Sequence, residues 1–175
     1  VVDADFTNFT SVETISHGNL NMTLTLGELA QAAGVVTVTN GSGTNNTTVG
    51  AGYTSDLSIA MAGTDIVNAA SYVGNLTVSG DIDLITAADT LTGGSGTGDV
   101  LSLSLDSNND DATAGQLANV SGFETISFSN DDEVDITLHE NNVSDGGSVT
   151  INAVNITTQV LTLTAANETD GSVTV

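Results

Sequence analysis

The residues best suited to chemistry surround a glycine-rich turn near the middle of the chain. The group consists of Asp81, Asp83, Asp89, Gly93, Gly94, Gly96, Gly98 and Asp99. Closely spaced glycines let backbone carbonyl groups turn inward, because glycine adopts left-handed backbone angles at little cost. Calcium takes about six to eight oxygen ligands from carboxylates and carbonyl groups. The stretch therefore predicts a calcium site. Its expected ligands are the carboxylates of Asp81, Asp83, Asp89 and Asp99 and the carbonyl groups near Gly94 and Gly96.

A second acidic turn lies further along the chain, at residues 131–135. Its acidic residues are Asp131, Asp132, Glu133 and Asp135. Like charges this close together repel one another unless solvent or a metal ion lies between them. We predict a further metal site at Asp131, Asp132 and Asp135, within reach of Asp110 or Asp111. Solvated loop carboxylates are the alternative interpretation of this turn.

The charge balance of the chain is one-sided. It has 22 acidic residues and no Lys or Arg, so its net charge is −22. Self-repulsion of this size destabilises a compact state, and bound divalent cations would relieve it. Nucleic acid is nearly excluded as a partner, because phosphate contacts require Lys or Arg. The same lack disfavours an anionic membrane surface, and no apolar run is long enough for insertion into a bilayer.

Short segments in which polar and apolar residues alternate recur along the chain, and such alternation is typical of half-buried strands. The predicted strands are residues 20–26, 35–39, 56–62, 72–79, 100–105, 123–128, 134–138, 148–152 and 160–164. A helix is predicted over residues 27–33, ended by Gly34, and a second short helix over residues 113–118. Residues 40–52 are rich in Gly, Asn and Thr and are predicted to form a loop.

The choice of apolar residues separates two all-β architectures. Aromatic residues make up only 3% of the chain, whereas the core of a β-sandwich usually contains aromatic side chains. A solenoid instead stacks aliphatic residues from one coil to the next. We predict an all-β fold, a right-handed parallel β-solenoid with irregular turns and one or two very short helices. A β-sandwich is the alternative, because several short alternating strands fit both.

Two features resemble known secreted proteins. The glycine-rich turn is similar to the calcium-binding nonapeptide repeat of RTX proteins, Gly-Gly-x-Gly-x-Asp-x-hydrophobic-x, through Gly93, Gly94, Gly96 and Leu101. Residues 8–16 and 119–127 share Glu-Thr-Ile-Ser. They resemble segments of large bacterial β-strand-repeat surface proteins, which include S-layer proteins and adhesins exported by type I secretion. We interpret residues 1–175 as one β-repeat module, with internal copies starting near residues 8 and 119, from a longer or polymeric surface protein.

The resemblance and the charge together imply a structural protein of the cell surface. We expect a secreted, extracellular module that binds calcium and associates with copies of itself into a surface layer, sheath or filament. Calcium would fill the acidic turns and so favour folding outside the cell. The alternative is a calcium-stabilised adhesin or stalk domain that binds a foreign surface or a glycan. We expect no enzyme, because no nucleophile motif is convincing and the carboxylate pairs lack the cations and rings of sugar-cleaving sites.

Overall fold

The computed structural model describes residues 1–106 and 110–175. Strands dominate these residues, together with one α-helix, α1 (Glu28–Ala33), and 3-10 turns at Asp3–Phe6, Ile82–Leu84, Leu117–Asn119 and Glu140–Asn142. The strands are β1 (Thr14–Ser16), β2 (Met22–Leu26), β3 (Thr37–Thr39), β4 (Thr44–Val49), β5 (Leu57–Ala60), β6 (Thr64–Asn68), β7 (Leu76–Asp81), β8 (Thr90–Thr92), β9 (Val100–Ser104), β10 (Asp110–Ala112), β11 (Val120–Ser121), β12 (Thr125–Phe128), β13 (Val134–Thr137), β14 (Ser148–Asn152), β15 (Leu161–Thr164) and β16 (Ser172–Thr174). Among the described residues, no helix has the length and apolar character needed to cross a membrane.

The strands form three sheets, and every strand pair in the described residues is parallel. In spatial order, sheet A is β1-β3-β5-β7-β9-β12-β14-β16, sheet B is β11-β8-β6-β4-β2 and sheet C is β10-β13-β15. Successive coils therefore lie side by side and form a β-solenoid of about seven turns. The solenoid prediction is confirmed. The sandwich alternative is wrong, because the sheets of such sandwiches pair antiparallel.

Sheet A shows how the coils stack on one another. Coil length varies from the 19 residues that separate Ser58 from its partner Thr77 to the 25 that separate Val100 from Thr125. One inward column is aliphatic throughout: Ile15, Val38, Ile59, Val78, Leu101, Ile126 and Ile151. Full burial of such a side chain contributes about 1.5–3 kcal/mol relative to exposure. The stacked side chains of this column therefore form a main part of the hydrophobic core.

The two Glu-Thr-Ile-Ser segments occupy equivalent places in the stack. Thr14 begins β1 and Thr125 begins β12, and both belong to the same column of sheet A. The structural repeat is the single coil, and most coils conserve its apolar positions without repeating its sequence. The similarity between residues 8–16 and 119–127 thus reflects a shared position within the coil.

Local structure agrees with part of the sequence-based prediction. Helix α1 is confirmed, and it ends at Gly34, whose left-handed φ of 104° suits glycine. The loop predicted over residues 40–52 is wrong, because it contains strand β4, whose buried inward residues are the polar Asn45 and Thr47 and the apolar Val49. The helix predicted over residues 113–118 is also wrong. This segment contains only the start of the 3-10 turn Leu117–Asn119.

Carboxylates bind backbone amides in a chain that has no Lys or Arg to pair with them. The first turn of α1 illustrates the pattern, because helix starts leave their N–H groups without intrahelical partners. Asp3 Oδ1 accepts hydrogen bonds from the N–H groups of Gly27 and Ala30, both at 2.8 Å, and Oδ2 accepts one from Leu29 at 3.2 Å. The negative charge also complements the positive end of the helix dipole.

Candidate metal centre

Asp99, which follows the glycine-rich turn, is buried and links three successive coils. Its Oδ1 accepts a hydrogen bond from the Leu76 N–H at 2.7 Å, and its Oδ2 accepts one from the Gly94 N–H at 2.7 Å. One coil later, Glu124 Oε2 accepts a hydrogen bond from the Asp99 N–H at 2.8 Å. Both oxygens of Asp99 therefore already stabilise backbone amides. This arrangement favours a structural role for the side chain.

Asp89 has the same kind of environment, also in the interior. Its Oδ1 accepts a hydrogen bond from the N–H of Asp65, the equivalent residue of the preceding coil, at 2.6 Å. Its Oδ2 accepts hydrogen bonds from the Thr86 N–H at 2.7 Å and the Thr86 hydroxyl at 2.8 Å. The structure thus places Asp89 and Asp99 in separate hydrogen-bonding environments. It does not bring their carboxylates together with those of Asp81 and Asp83.

The glycines of the turn allow the coils to approach closely. A Cβ atom on Gly94 or Gly96 would lie 2.7 Å from the carbonyl oxygen of Tyr72 or Gly74, respectively, in the preceding coil. The left-handed angles assumed for this turn do not occur in it. Among the described glycines they occur at Gly34, Gly63, Gly122 and Gly146. Contact between coils therefore explains the glycines better than a cradle of inward carbonyl groups.

A compact acidic site forms where β7 and β9 end. We call it the corner group, and it consists of Asp81, Asp83 and Asp106, which can each place a carboxylate oxygen within 4.8 Å of the other two. Asp81 is the last residue of β7, and its Oδ1 accepts the N–H of Asp83 at 3.0 Å as the following 3-10 turn begins. Ser104, its register partner on β9, donates to Asp81 Oδ2 at 3.3 Å. Asp106 follows two residues later, so the stacking of two coils assembles the group.

Negative charge accumulates around the corner group. The pKa of the Asp83 carboxyl is raised by partial desolvation and by the charges of Asp110, Asp81, Asp106 and Asp111. Asp83 and Asp106 are exposed, and Asp81 is half-buried, so an ion could reach all three from solvent. Carboxylate oxygens are the ligands that calcium prefers. The arrangement is thus suited to binding a hard divalent cation that would neutralise the mutual repulsion.

Replacing Asp83 with asparagine should raise the melting temperature at pH 7 in the presence of a chelator. Since its pKa is raised on folding, Asp83 disfavours the folded state once it is ionised. Its unfavourable effect therefore grows as the pH rises through the ordinary carboxyl range and vanishes on acidification. The gain from Asp83→Asn should accordingly disappear by about pH 3, well below the usual carboxyl pKa. Thermal unfolding followed by circular dichroism across this pH range provides the measurement.

The control for this measurement is Asp56→Asn, which removes one charge from the exposed Asp56 in another coil. Asp56 Oδ1 accepts a hydrogen bond from the Asn75 side chain at 2.9 Å, and asparagine retains this acceptor. If Asp56→Asn gave the same gain at pH 7, overall net charge rather than the corner group would explain the effect.

The acidic turn at residues 131–135 divides into separate environments. Both oxygens of Asp131 accept hydrogen bonds from the segment 157–159, including the N–H groups of Thr157 and Thr158 at 2.9 and 3.1 Å. These bonds, led by that of the Thr157 hydroxyl, lower the pKa of Asp131. Asp132 accepts the N–H of its neighbour Glu133 at 2.9 Å. The three predicted ligands Asp131, Asp132 and Asp135 do not form one of the acidic groups identified among the described residues.

Asp135 instead places a further negative charge on sheet C, beside acidic residues that act on the corner group. It is exposed on β13, where its register partner on β10 is Asp111. Asp111 in turn raises the pKa of Asp83. Like charges on neighbouring strands repel each other. The strand pairing therefore brings Asp135 beside Asp111, whereas the register partner of Asp110 is Val134.

A further acidic group was not predicted from the sequence. Glu140, Glu168 and Asp170 can place carboxylate oxygens within 4.8 Å of one another, and Glu140 and Asp170 line an open cavity of about 510 Å³. Glu168 Oε1 accepts the Gly171 N–H at 2.8 Å, while Oε2 is buried without a hydrogen-bond partner. Desolvation and the charges of Asp145, Glu140 and Glu168 raise the pKa of Asp170.

The spacing of one coil is the signal that could have identified the missing ligand of the corner group. Asp106 lies 25 residues after Asp81 and 23 after Asp83, which is within the coil lengths seen in sheet A.

Comparison of the chain with family models, curated proteins and solved structures finds no match. The functional argument therefore depends on the site and the fold.

Proposed function

We propose that this chain is a structural module of an extracellular assembly that binds calcium and associates with copies of itself into a surface layer, sheath or filament. The observation that carries the proposal is the convergence of Asp81, Asp83 and Asp106 within 4.8 Å. It occurs in a chain with 22 acidic residues and no Lys or Arg. Calcium is the favoured ion, because it accepts several carboxylates together with water in flexible geometry.

The physical mechanism would be linkage between ion binding and folding. The corner group exists only when β7 and β9 are stacked, so an ion held there favours the folded chain over the unfolded one. Extracellular calcium modules bind with dissociation constants of about 0.1–1 mM. An ion present at 10 times its dissociation constant stabilises the folded state by about 1.4 kcal/mol. Secretion into a calcium-rich medium would thus complete folding outside the cell.

Calorimetric titration with calcium tests the site directly. We expect saturable binding at millimolar calcium and a rise in melting temperature of about 3–6 °C, the shift that about 1.4 kcal/mol produces in a chain of this length. Asp81→Asn, Asp83→Asn and Asp106→Asn should each weaken binding about tenfold or more, because each removes a charged ligand. Asp56→Asn should leave binding unchanged, since Asp56 lies outside the corner group.

Two results would contradict the calcium proposal. One is the absence of binding heat and of stabilisation at millimolar calcium. The other is an equal weakening by Asp56→Asn, which would indicate diffuse screening of the net charge. Magnesium at matched ionic strength separates specific binding from screening, because magnesium requires near-octahedral geometry and gives up its water reluctantly.

A further inference from the structure

A second group of three carboxylates lies between two stacked turns that do not belong to the corner group. We call it the turn group, and it consists of Glu140, Glu168 and Asp170, which can place carboxylate oxygens within 4.8 Å of one another. Glu140 begins the 3-10 turn between β13 and β14, whereas Glu168 and Asp170 lie between β15 and β16. Because β13 pairs with β15 and β14 pairs with β16, these two turns occupy equivalent places in successive coils. The stacking of coils therefore assembles the turn group.

Hydrogen bonds hold two of these carboxylates in place and leave one buried oxygen unsatisfied. The Thr169 hydroxyl donates to Glu140 Oε1 at 2.7 Å, and the Gly171 N–H donates to Glu168 Oε1 at 2.8 Å. Glu168 Oε2 is buried from solvent and has no hydrogen-bond partner among the described residues. Buried polar atoms are almost always satisfied by protein, water or an ion, because a buried anionic oxygen without a partner is unfavourable. This oxygen indicates a bound cation independently of the number of acids in the group.

The turn group borders the open cavity of about 510 Å³. Glu140 and Asp170 line this cavity, together with the oxygen-bearing side chains of Asn141, Ser144 and Asp145. Residues of β8 and β11 line it as well, so the cavity extends along the side of the stack over several coils. Calcium takes about six to eight oxygen ligands, and water can be among them. The cavity therefore gives an ion access from solvent and leaves space for the water that would complete its coordination.

Negative charge is concentrated at this place and has no basic side chain to balance it. Desolvation and three neighbouring carboxylates raise the pKa of the Asp170 carboxyl, and these neighbours are Asp145, Glu140 and Glu168. The chain contains no Lys or Arg. A bound divalent cation would relieve this repulsion, because an opposite charge nearby favours the ionised form of each carboxyl group.

We propose that the turn group binds a second divalent cation, held by the carboxylates of Glu140, Glu168 and Asp170. Calcium fits these ligands, because it accepts several carboxylates together with water in flexible geometry. The ion would satisfy Glu168 Oε2 and would join the two stacked turns. The site goes beyond the proposed function, since it shares no residue with the corner group. Either site can therefore be present without the other.

Calorimetric titration with calcium chloride tests the turn group in a chain that lacks the ligands of the corner group. In the triple variant Asp81→Asn, Asp83→Asn, Asp106→Asn, we expect saturable calcium binding to remain at millimolar concentration or below. Adding Glu168→Gln should weaken the remaining binding about tenfold or more, because it removes a charged ligand. The matched control is Glu13→Gln, which removes one charge from an exposed residue outside both groups. This control should leave the remaining binding unchanged.

Thermal unfolding of Glu168→Gln in the otherwise unchanged chain gives a second readout. In a chelator, the substitution should raise the melting temperature. Glutamine keeps an oxygen for the Gly171 N–H and places an amide donor beside two carboxylates, where the unsatisfied oxygen was. In calcium, it should reduce the rise in melting temperature by about 3–6 °C, the shift produced by an ion at about 10 times its dissociation constant. A side chain with a purely structural role would change the melting temperature equally in both conditions.

The outcomes separate the turn group from the corner group. Residual binding that Glu168→Gln weakens and Glu13→Gln does not weaken supports the turn group. A triple variant that circular dichroism shows to be folded and that binds no calcium overturns the turn group, while binding by the unmodified chain would leave the corner group standing. Equal weakening by Glu13→Gln would assign the residual binding to diffuse screening and would also overturn the turn group. If the triple variant does not fold, equal effects of Glu168→Gln in calcium and in chelator would overturn it.

Discussion

Replacing Gly93 with alanine should prevent the chain from folding into a stable solenoid. Gly93 is buried, and its N–H donates to Ser121 O of the next coil at 2.8 Å. A Cβ atom at this position would overlap the carbonyl oxygen of Gly122. Overpacking against side chains costs about 1–3 kcal/mol and occasionally more. Here the obstacle is the backbone of a hydrogen-bonded coil, so we expect a loss of at least about 3 kcal/mol.

Urea unfolding monitored by circular dichroism measures this loss. The matched control is Gly115→Ala, because the nearest atom that its Cβ would meet lies 3.9 Å away, at the Thr113 hydroxyl. The control should change the free energy of unfolding by no more than about 0.5 kcal/mol. A Gly93→Ala protein as stable as this control would show that the coils can separate locally, contrary to the proposed role of Gly93.

The sequence predicted the solenoid because it combines short alternating strands of aliphatic residues with only 3% aromatic residues. Alternation over residues 100–105 and 148–152 matches strands β9 and β14. The same rule missed β4, whose buried inward residues include Asn45 and Thr47. The Asn45 amide donates to Ala62 O of the neighbouring coil at 2.6 Å, whereas its Oδ1 and the Thr47 hydroxyl are buried without a hydrogen-bond partner within the described residues. Such partners lie a coil away and leave no local pattern.

The candidate site was only partly predictable for the same reason. Asp81 and Asp83 were identified because they lie close together in sequence, whereas Asp106 joins them through the pairing of β7 with β9. Residue type indicated that Asp89 and Asp99 could bind an ion. It could not indicate that backbone N–H groups of adjacent segments would occupy their oxygens. Because coil length varies from 19 to 25 residues in sheet A, a spacing of one coil indicates candidate partners for an acid but does not by itself determine which acids meet.

Substituting Asp99 with alanine should destabilise the protein equally in calcium and in a chelator. The change would leave the N–H groups of Leu76 and Gly94 without the acceptor that each now has at 2.7 Å. An unsatisfied buried donor costs about 1–3 kcal/mol, so the expected loss is about 2–6 kcal/mol. Asp99→Asn should show a smaller loss, because an amide retains one acceptor oxygen but presents a donor to the other N–H group.

Urea unfolding in calcium and in chelator separates this structural role from metal binding. Asp83→Ala is the contrasting variant, because Asp83 is exposed and belongs to the corner group. In calcium, Asp83→Ala should lower the free energy of unfolding, because it removes a ligand of the ion. In chelator it should not, because no ion is bound and the substitution relieves the repulsion at Asp83. If Asp99→Ala instead lost stability only in calcium, Asp99 would be a metal ligand and the glycine-rich turn itself would be the calcium site. Equal losses in both conditions would assign Asp99 to the hydrogen bonding that joins the coils and leave Asp81, Asp83 and Asp106 as the residues that bind the ion.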